Sequence, residues 1–387
     1  MANNKTAQYG DYTISIEDSG AVKVTLNGSE CKNTIAALRD IAKDVNFTLD
    51  DKWNTRQAGK NLIDYLKENI RLEILSIMKL IASDIRKETS NEVFTYNQQR
   101  AMINSTFQMG DYNIGSIMLR LIVIDSLYST NASYSYFSFE DIAKEIYALG
   151  KKQHKAEDYF YSLLTNKNNN KLFNKKYGIR KTLADGSKQV SLISKYAYYQ
   201  LLQNPQKHPL GFPIYDSLAL KMYPVICKAL EIPQRDKSEI TISANNDTPN
   251  ICDYISALNK LREKLFENST NLFENLQQFD ILDAYLWRMG KINEGNFSLL
   301  LSKEDYRQFI NNLDLGNTST EDLFNKYHNT NLISFAKTNK GNKYKYDFNS
   351  LVRYEIKQRA TQDIVNNLSN HNYISALINH WKSIIKF

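Results

Sequence analysis

The chain has 387 residues, 42% of them hydrophobic, 24% charged and 12% aromatic. A domain takes about 100–200 residues, so two domains, or a large one with an appendage, are expected, and the composition excludes a disordered chain. Only 14 glycines and 6 prolines exclude a collagen-like or proline-rich chain, and a net charge of +7, from 49 basic and 42 acidic residues, permits a polyanionic partner.

In chain order, Tyr12, Ile14 and Ile16 alternate with polar residues, Asp18-Ser19-Gly20 can turn, and Val22, Val24 and Leu26 alternate again. That pattern predicts a β-hairpin with one apolar face. Ile35, Leu38, Ile41, Ala42 and Val45 then recur at helical spacing from Thr34, and a second helix begins near Thr55 with Leu62, Ile63 and Leu66. Phe47 and Trp53 are expected to close this small core. From Glu68 the pattern is helical almost throughout. Ile70, Ile74, Ile77, Met78, Ile81 and Ile85 form one apolar face, and Ile114 to Tyr128 is apolar on most sides, as a central buried helix would be. Phe139–Leu149 follows Ser138 as N-cap with acids in its first turn. Further helices are predicted over 156–164, 192–202, 217–230, 251–266 and 274–289. After Ser302 shorter helices surround a basic loop, Lys337 to Lys345, around which Leu332–Phe335 is expected to pair with Tyr344–Phe348.

The organisation expected is therefore a small hairpin-plus-helices module (1–67) with a docking or binding role, a helical domain (68–300) and a basic C-terminal extension (301–387). Three cysteines (Cys31, Cys227, Cys252) are too few and too scattered for a disulfide framework or a zinc knuckle, and the five histidines include no HxxxH or HExxH pair. Neither a metal nor an organic cofactor is expected. The polar N-terminus lacks a signal-peptide core. The greasiest run, Ile117 to Leu127, holds Arg120 and Asp125 and falls short of the roughly 20 apolar residues that span a bilayer. The expectation is a soluble cytoplasmic protein without a membrane partner.

The charge is segregated. From Lys151 to Lys188 ten Lys/Arg face three acids, a local +7, and from Asn331 to Phe387 nine face three, a local +6; the rest of the chain sums to −6. Such segregation is an electrostatic footprint for nucleic acid, or else a pair of solvated loops.

No phosphate-binding loop, dinucleotide fingerprint, nucleophile elbow or kinase signature is present, which argues against NTPases, dinucleotide oxidoreductases and α/β-hydrolases. What remains is a dense block between Val190 and Leu220. Lys195 stands among Leu192, Ile193, Tyr196, Tyr199 and Leu202 on a predicted helix. Apolar surroundings disfavour the ammonium, and a neutral amine can form a Schiff base with a carbonyl or anomeric carbon; the alternative is a lysine whose stem packs while its head reaches water. Asp216 ends the rigid run Phe212-Pro213-Ile214-Tyr215 where a helix begins, so it reads as an N-cap and also as a carboxylate held to stabilise positive charge.

Together these residues carry a resemblance. Ser194-Lys195, an aromatic helix and then Phe212-Pro213-Ile214-Tyr215-Asp216-Ser217, with 21 residues from lysine to aspartate, are similar to the bacterial 8-oxoguanine DNA glycosylase-like group of the helix–hairpin–helix DNA glycosylase superfamily. Ile124-Asp125-Ser126-Leu127-Tyr128-Ser129-Thr130 upstream and Asp283-Ala284-Tyr285-Leu286-Trp287-Arg288-Met289-Gly290-Lys291 downstream are also similar, so coverage runs from about residue 100 to 295. The resemblance implies a mainly α fold, a glycosylase-like helical domain beside the small N-terminal module. It implies removal of a damaged or modified base from double-stranded DNA, in repair or in defence against phage DNA, after the nucleotide is flipped into a pocket. It makes Lys195 the nucleophile, with accompanying lyase activity, and Asp216 the stabilising carboxylate. It offers Trp287, Tyr215 and Tyr199 as residues that stack on the base, with a core role as the alternative for Trp287. The family hairpin is glycine-rich, whereas Asp185–Ser191 has one glycine. Contact with the DNA backbone then falls to charge, through Ser187, Lys188, Lys175, Lys176, Arg180 and Lys181. The alternative is a non-catalytic nucleic-acid-binding protein on the same fold.

Overall fold

The structure, a computed structural model, describes residues 5–87, 96–109, 111–128, 138–151, 156–165, 171–178, 187–230, 251–267, 276–294, 337–340, 343–346 and 372–385, with Ile232 and Phe273. The chain divides into two compact units, Met1–Leu286 and Trp287–Phe387. The described part is mainly helical, with a small antiparallel sheet at the N-terminus.

The predicted hairpin is the centre of a four-stranded meander, β1 (Lys5–Tyr9), β2 (Tyr12–Ile16), β3 (Val22–Leu26) and β4 (Ser29–Glu30), paired in that order. Ile14 stands opposite Val24, which sets the buried face. The last turn is Asn27-Gly28, both at positive φ (51° and 79°), a geometry that suits the right-handed twist of a two-residue hairpin. Helix α1 (Thr34–Asp44), capped by the Asn33 side chain on the Ala36 amide, lays Leu38 and Ile41 on that face. Helix α2 (Thr55–Lys87) adds Ala58, Leu62, Ile63 and Leu66, and Phe47 and Trp53 pack at the edge of this core as expected.

Helix α2 passes through residue 67 without a break, so the two helices read separately in the sequence are one element of 33 residues. Its second half buries Ile70, Ile74, Ile77, Met78 and Ile81. Arg71 ties it to the helical layer by donating to the carbonyls of Leu265 (3.0 Å) and Glu267 (3.1 Å).

That layer contains α3 (Tyr96–Gln108), α4 (Ile114–Tyr128), α5 (Ser138–Lys151), α6 (Ala156–Thr165), the single turn α7 (Lys171–Asn174), α8 (Val190–Leu202), α9 (Ser217–Ala229) and α10 (Ile251–Phe266). The two-residue strands β5 (Lys176–Tyr177) and β6 (Ser187–Lys188) pair between α7 and α8. The helix buried on every side is α8, packed against α3, α4, α6 and α7, with ten of its thirteen residues buried. The sequence reading gave that place to α4. In fact α4 leaves Leu119 (46%) and Ile122 (44%) exposed and buries Arg120 and Asp125 instead. Its apolar count misled because Arg120 is satisfied inside, donating to the Thr106 and Asp111 carbonyls.

Helix α11 (Gln278–Asn293) starts four residues later than its sequence pattern suggested. Its first-turn amide at Phe279 donates to the Leu210 carbonyl, and the preceding Gln277 side chain donates to the His208 carbonyl at 2.6 Å. A neighbouring loop thus sets the boundary.

In the second unit, β7 (Lys337–Lys340) pairs with β8 (Lys343–Tyr346), and α12 (Asn372–Ile385) buries Leu377, Ile378, Trp381 and Ile384. The pairing expected for Leu332–Phe335 is corrected: the partner of β8 is β7, within the basic run itself. Residues 332–335 and the helices expected between 302 and 336 lie outside the described residues. Among the described residues no helix is long and apolar enough to cross a membrane.

Candidate active site

Helix α8 has no polar face, because neighbours surround it, yet it carries Lys195. The residue is 3% exposed, so the reading in which its head reaches water does not hold. The amine donates to the Ser191 hydroxyl one turn earlier (2.7 Å) and stands 5.2 Å from the centre of the Tyr128 ring, at the end of α4. Tyr199 is fully buried, packed on Phe107 and bonded through its hydroxyl to that of Tyr128 (2.8 Å). It therefore supports the wall behind the amine from within the core.

Asp216 reaches the same place from a different element. The next residue to Lys195, Ser194, is fully buried, and its hydroxyl accepts the Tyr215 backbone N–H at 3.0 Å while donating to the Ser191 carbonyl at 3.0 Å. The loop entering α9 is thus pinned to α8 at the residue before Asp216. Tyr254, on α10, donates to the Ile214 carbonyl (2.5 Å) and holds the loop from the other side. Asp216 is the N-cap of α9, accepting the Leu218 amide at 2.7 Å, as its sequence position implied. Tyr215 is half-buried, its ring edge-on to Tyr254 at 5.0 Å.

The third charged group is one to which the sequence reading assigned no role. Asp283, on α11, is partly buried and lines a crevice with Pro213, Ile214, Leu258, Phe279, Leu282 and Leu286. Burial pushes the Lys195 amine below the ordinary lysine range, and the Asp216 and Asp283 carboxylates oppose that push. Burial, then repulsion by Asp216, raises Asp283 to about 7, against the pull of Lys195 and Arg100. One turn earlier Asp280 is buried, raised by burial to about 6, and paired with Arg100 at 3.5 Å. Arg100 also donates to the Tyr198 hydroxyl. Two acids at i and i+3 in an otherwise apolar stretch, Phe279 to Leu286, were the available signal for this pair.

The basic residues divide. Lys176 and Lys188 are opposite each other in the β5–β6 hairpin, Ser187 is opposite Tyr177, and β6 leads directly into α8. Lys175 is exposed but forms an ion pair with Glu145. Arg180 and Lys181 lie outside the described residues. Trp287 belongs to the second unit, where it is half-buried with the Lys291 ammonium 5.4 Å from its ring centre. Among the described residues no group of three or more His, Cys, Asp or Glu is placed to hold a metal ion. Chemically, a buried amine with a depressed proton affinity beside two carboxylates can attack an electrophilic carbon and support the positive charge that develops there. Comparison with protein-family models, with curated proteins and with solved structures finds no match.

Proposed function

We propose that the chain is a DNA glycosylase with accompanying lyase activity, excising a damaged or modified base from double-stranded DNA. The observation that carries this reading is the enclosed Lys195 amine, drawn toward its neutral form and tied through Ser194 to the loop that presents Asp216. In this chemistry the neutral amine attacks the sugar anomeric carbon, the base departs, and Asp216 supports the cationic character of the sugar in the transition state. The resulting imine allows strand cleavage by elimination. No step requires a metal or an organic cofactor. The order of a short helix, a two-stranded hairpin bearing Lys176 and Lys188, and then the lysine-bearing helix supports a helix–hairpin–helix assignment and puts positive charge at the entry to α8. Tyr128, with its ring centre 5.2 Å from the Lys195 amine, and Tyr215, adjacent to Asp216 in the chain, are the aromatic residues offered to the base; Tyr199 stands behind Tyr128.

The test is borohydride trapping on duplexes containing an abasic site, 8-oxoguanine or a hypermodified cytosine. A covalent adduct in the native protein that is lost in Lys195→Gln, with an unchanged circular dichroism spectrum, supports the reading. Duplex binding without any trapped species or base release across the panel overturns it in favour of a non-catalytic binder.

A further inference from the structure

Lys195 and Asp216 account for attack and for charge at the sugar, but a departing base also needs a proton; Asp216 acts as a carboxylate, and the amine gains an acidic proton only after it has attacked. Asp283 is the further acidic side chain that packs beside the loop leading into Asp216. It comes from α11, a third element converging on the pair, and it lines a crevice together with Pro213 and Ile214, the run that leads into Asp216. The rest of that crevice, Leu258, Phe279, Leu282 and Leu286, is apolar. The charged groups that act on it are Asp216 from the loop, Lys195 from α8, Arg100 from α3 and Asp280 on its own helix.

Resting on the glycosylase reading above, we propose that Asp283 is the acid that protonates the departing base, and that it takes its proton from Lys195. The protons balance within the pair. An N–H bond of the Lys195 ammonium breaks and an O–H bond forms on Asp283, leaving a neutral amine beside a neutral acid. The amine forms a bond to the anomeric carbon as the bond to the base breaks. The base leaves with that electron pair and takes the Asp283 proton. The new secondary ammonium returns a proton to Asp283, the nitrogen lone pair then opens the sugar ring to the imine, and the ring oxygen takes the proton. Asp283 ends as it began, a carboxylate. Its raised proton affinity fits a group that holds a proton near neutral pH.

Asp283→Asn separates the steps. On a duplex with an abasic site no base has to leave but Lys195 must still lose its proton, so borohydride trapping is expected to fall by less than excision does, by the part owed to amine deprotonation alone. On the native protein's own modified-base substrate, single-turnover excision is expected to fall by about 10²–10⁴-fold, the usual range for a general acid. Native excision should also decline at alkaline pH as the proton shared by the pair is lost, and Asp283→Asn should lack that decline. Native-like excision by Asp283→Asn would overturn the proposal and leave the glycosylase reading standing. Equal loss of trapping and excision, not restored in Asp283→Glu, would also overturn it, since that is the mark of a structural role. If the native protein traps no abasic duplex and releases no base, the glycosylase reading itself fails and this role falls with it.

Discussion

Ser194→Ala removes a single oxygen from a fully buried site, and with it the acceptor of the Tyr215 amide at 3.0 Å. The substitution also removes the hydroxyl's bond to the Ser191 carbonyl, but that carbonyl belongs to helix α8 and accepts within it. The Tyr215 N–H loses the acceptor that pins its loop to α8. An enclosed donor left unmade costs about 1–3 kcal/mol; this one is only partly buried, so about 1–2 kcal/mol is expected. That corresponds to about a 5- to 30-fold faster hydrogen exchange at Tyr215. The measurement is amide exchange resolved to the segment 212–218, with the remainder of α8 and α9 as internal reference. The loss should be local, because Tyr254 still holds Ile214 from the opposite side. Since Asp216 is the next residue, imine trapping should slow in the same variant. An unchanged exchange rate at Tyr215 in a folded variant would show that Ser194 does not hold the loop. A uniform acceleration throughout the first unit would refute the reasoning as well, because it would make Ser194 a general core residue.

Asp283 and Asp280 have proton affinities raised in the fold, to about 7 and about 6, above the roughly 3.9 of a free aspartate. Between those limits the folded chain binds more protons than the unfolded one, so their contribution to stability is present below about pH 4 and is lost as pH rises through the folded values. Asp283→Asn should therefore gain stability relative to the native protein between pH 5 and 7.5 in paired urea titrations, and a flat or falling difference would contradict it. Lys176→Ala and Lys188→Ala, on facing positions of the hairpin, should each lower the slope of log affinity for duplex DNA against log salt by about 0.9 in fluorescence anisotropy; an unchanged slope would make them ordinary surface. Gly211 has φ +75°, and a Cβ there would lie 2.7 Å from Gln277 Oε1. Gly211→Ala should lower stability by about 1–3 kcal/mol, read as a lower thermal midpoint, and a native midpoint would refute the strain argument.

Local patterns made much of the secondary structure legible. Alternation of Ile14, Ile16, Val22 and Val24 about a turn marked β2 and β3. The helical spacing of Leu38 and Ile41, and of Ile70 through Ile81, marked the buried faces of α1 and α2. Asp216 was readable as an N-cap, since a cap involves only the next two or three residues. The Asn27-Gly28 signal for the turn into β4 is equally local. Lys195 stood out because its neighbours in the chain are apolar.

What the chain alone left open depends on groups distant in sequence. Whether Lys195 reached water or was enclosed turned on α3, α4, α6 and α7 all packing on α8, while α4, the more apolar segment by composition, kept Leu119 and Ile122 outside. Asp283 became a partner of Lys195 and Asp216 only because α11 approaches the Pro213–Ile214 loop. Propensity, periodicity and capping act over a few residues, so the order of residues limits which segments become helix or strand and which side chains are available for chemistry. The tertiary structure decided which of those residues meet and how dry their surroundings are. Proton affinity and nucleophilicity follow from desolvation and from charges brought close by packing, and neither is a property of the local chain.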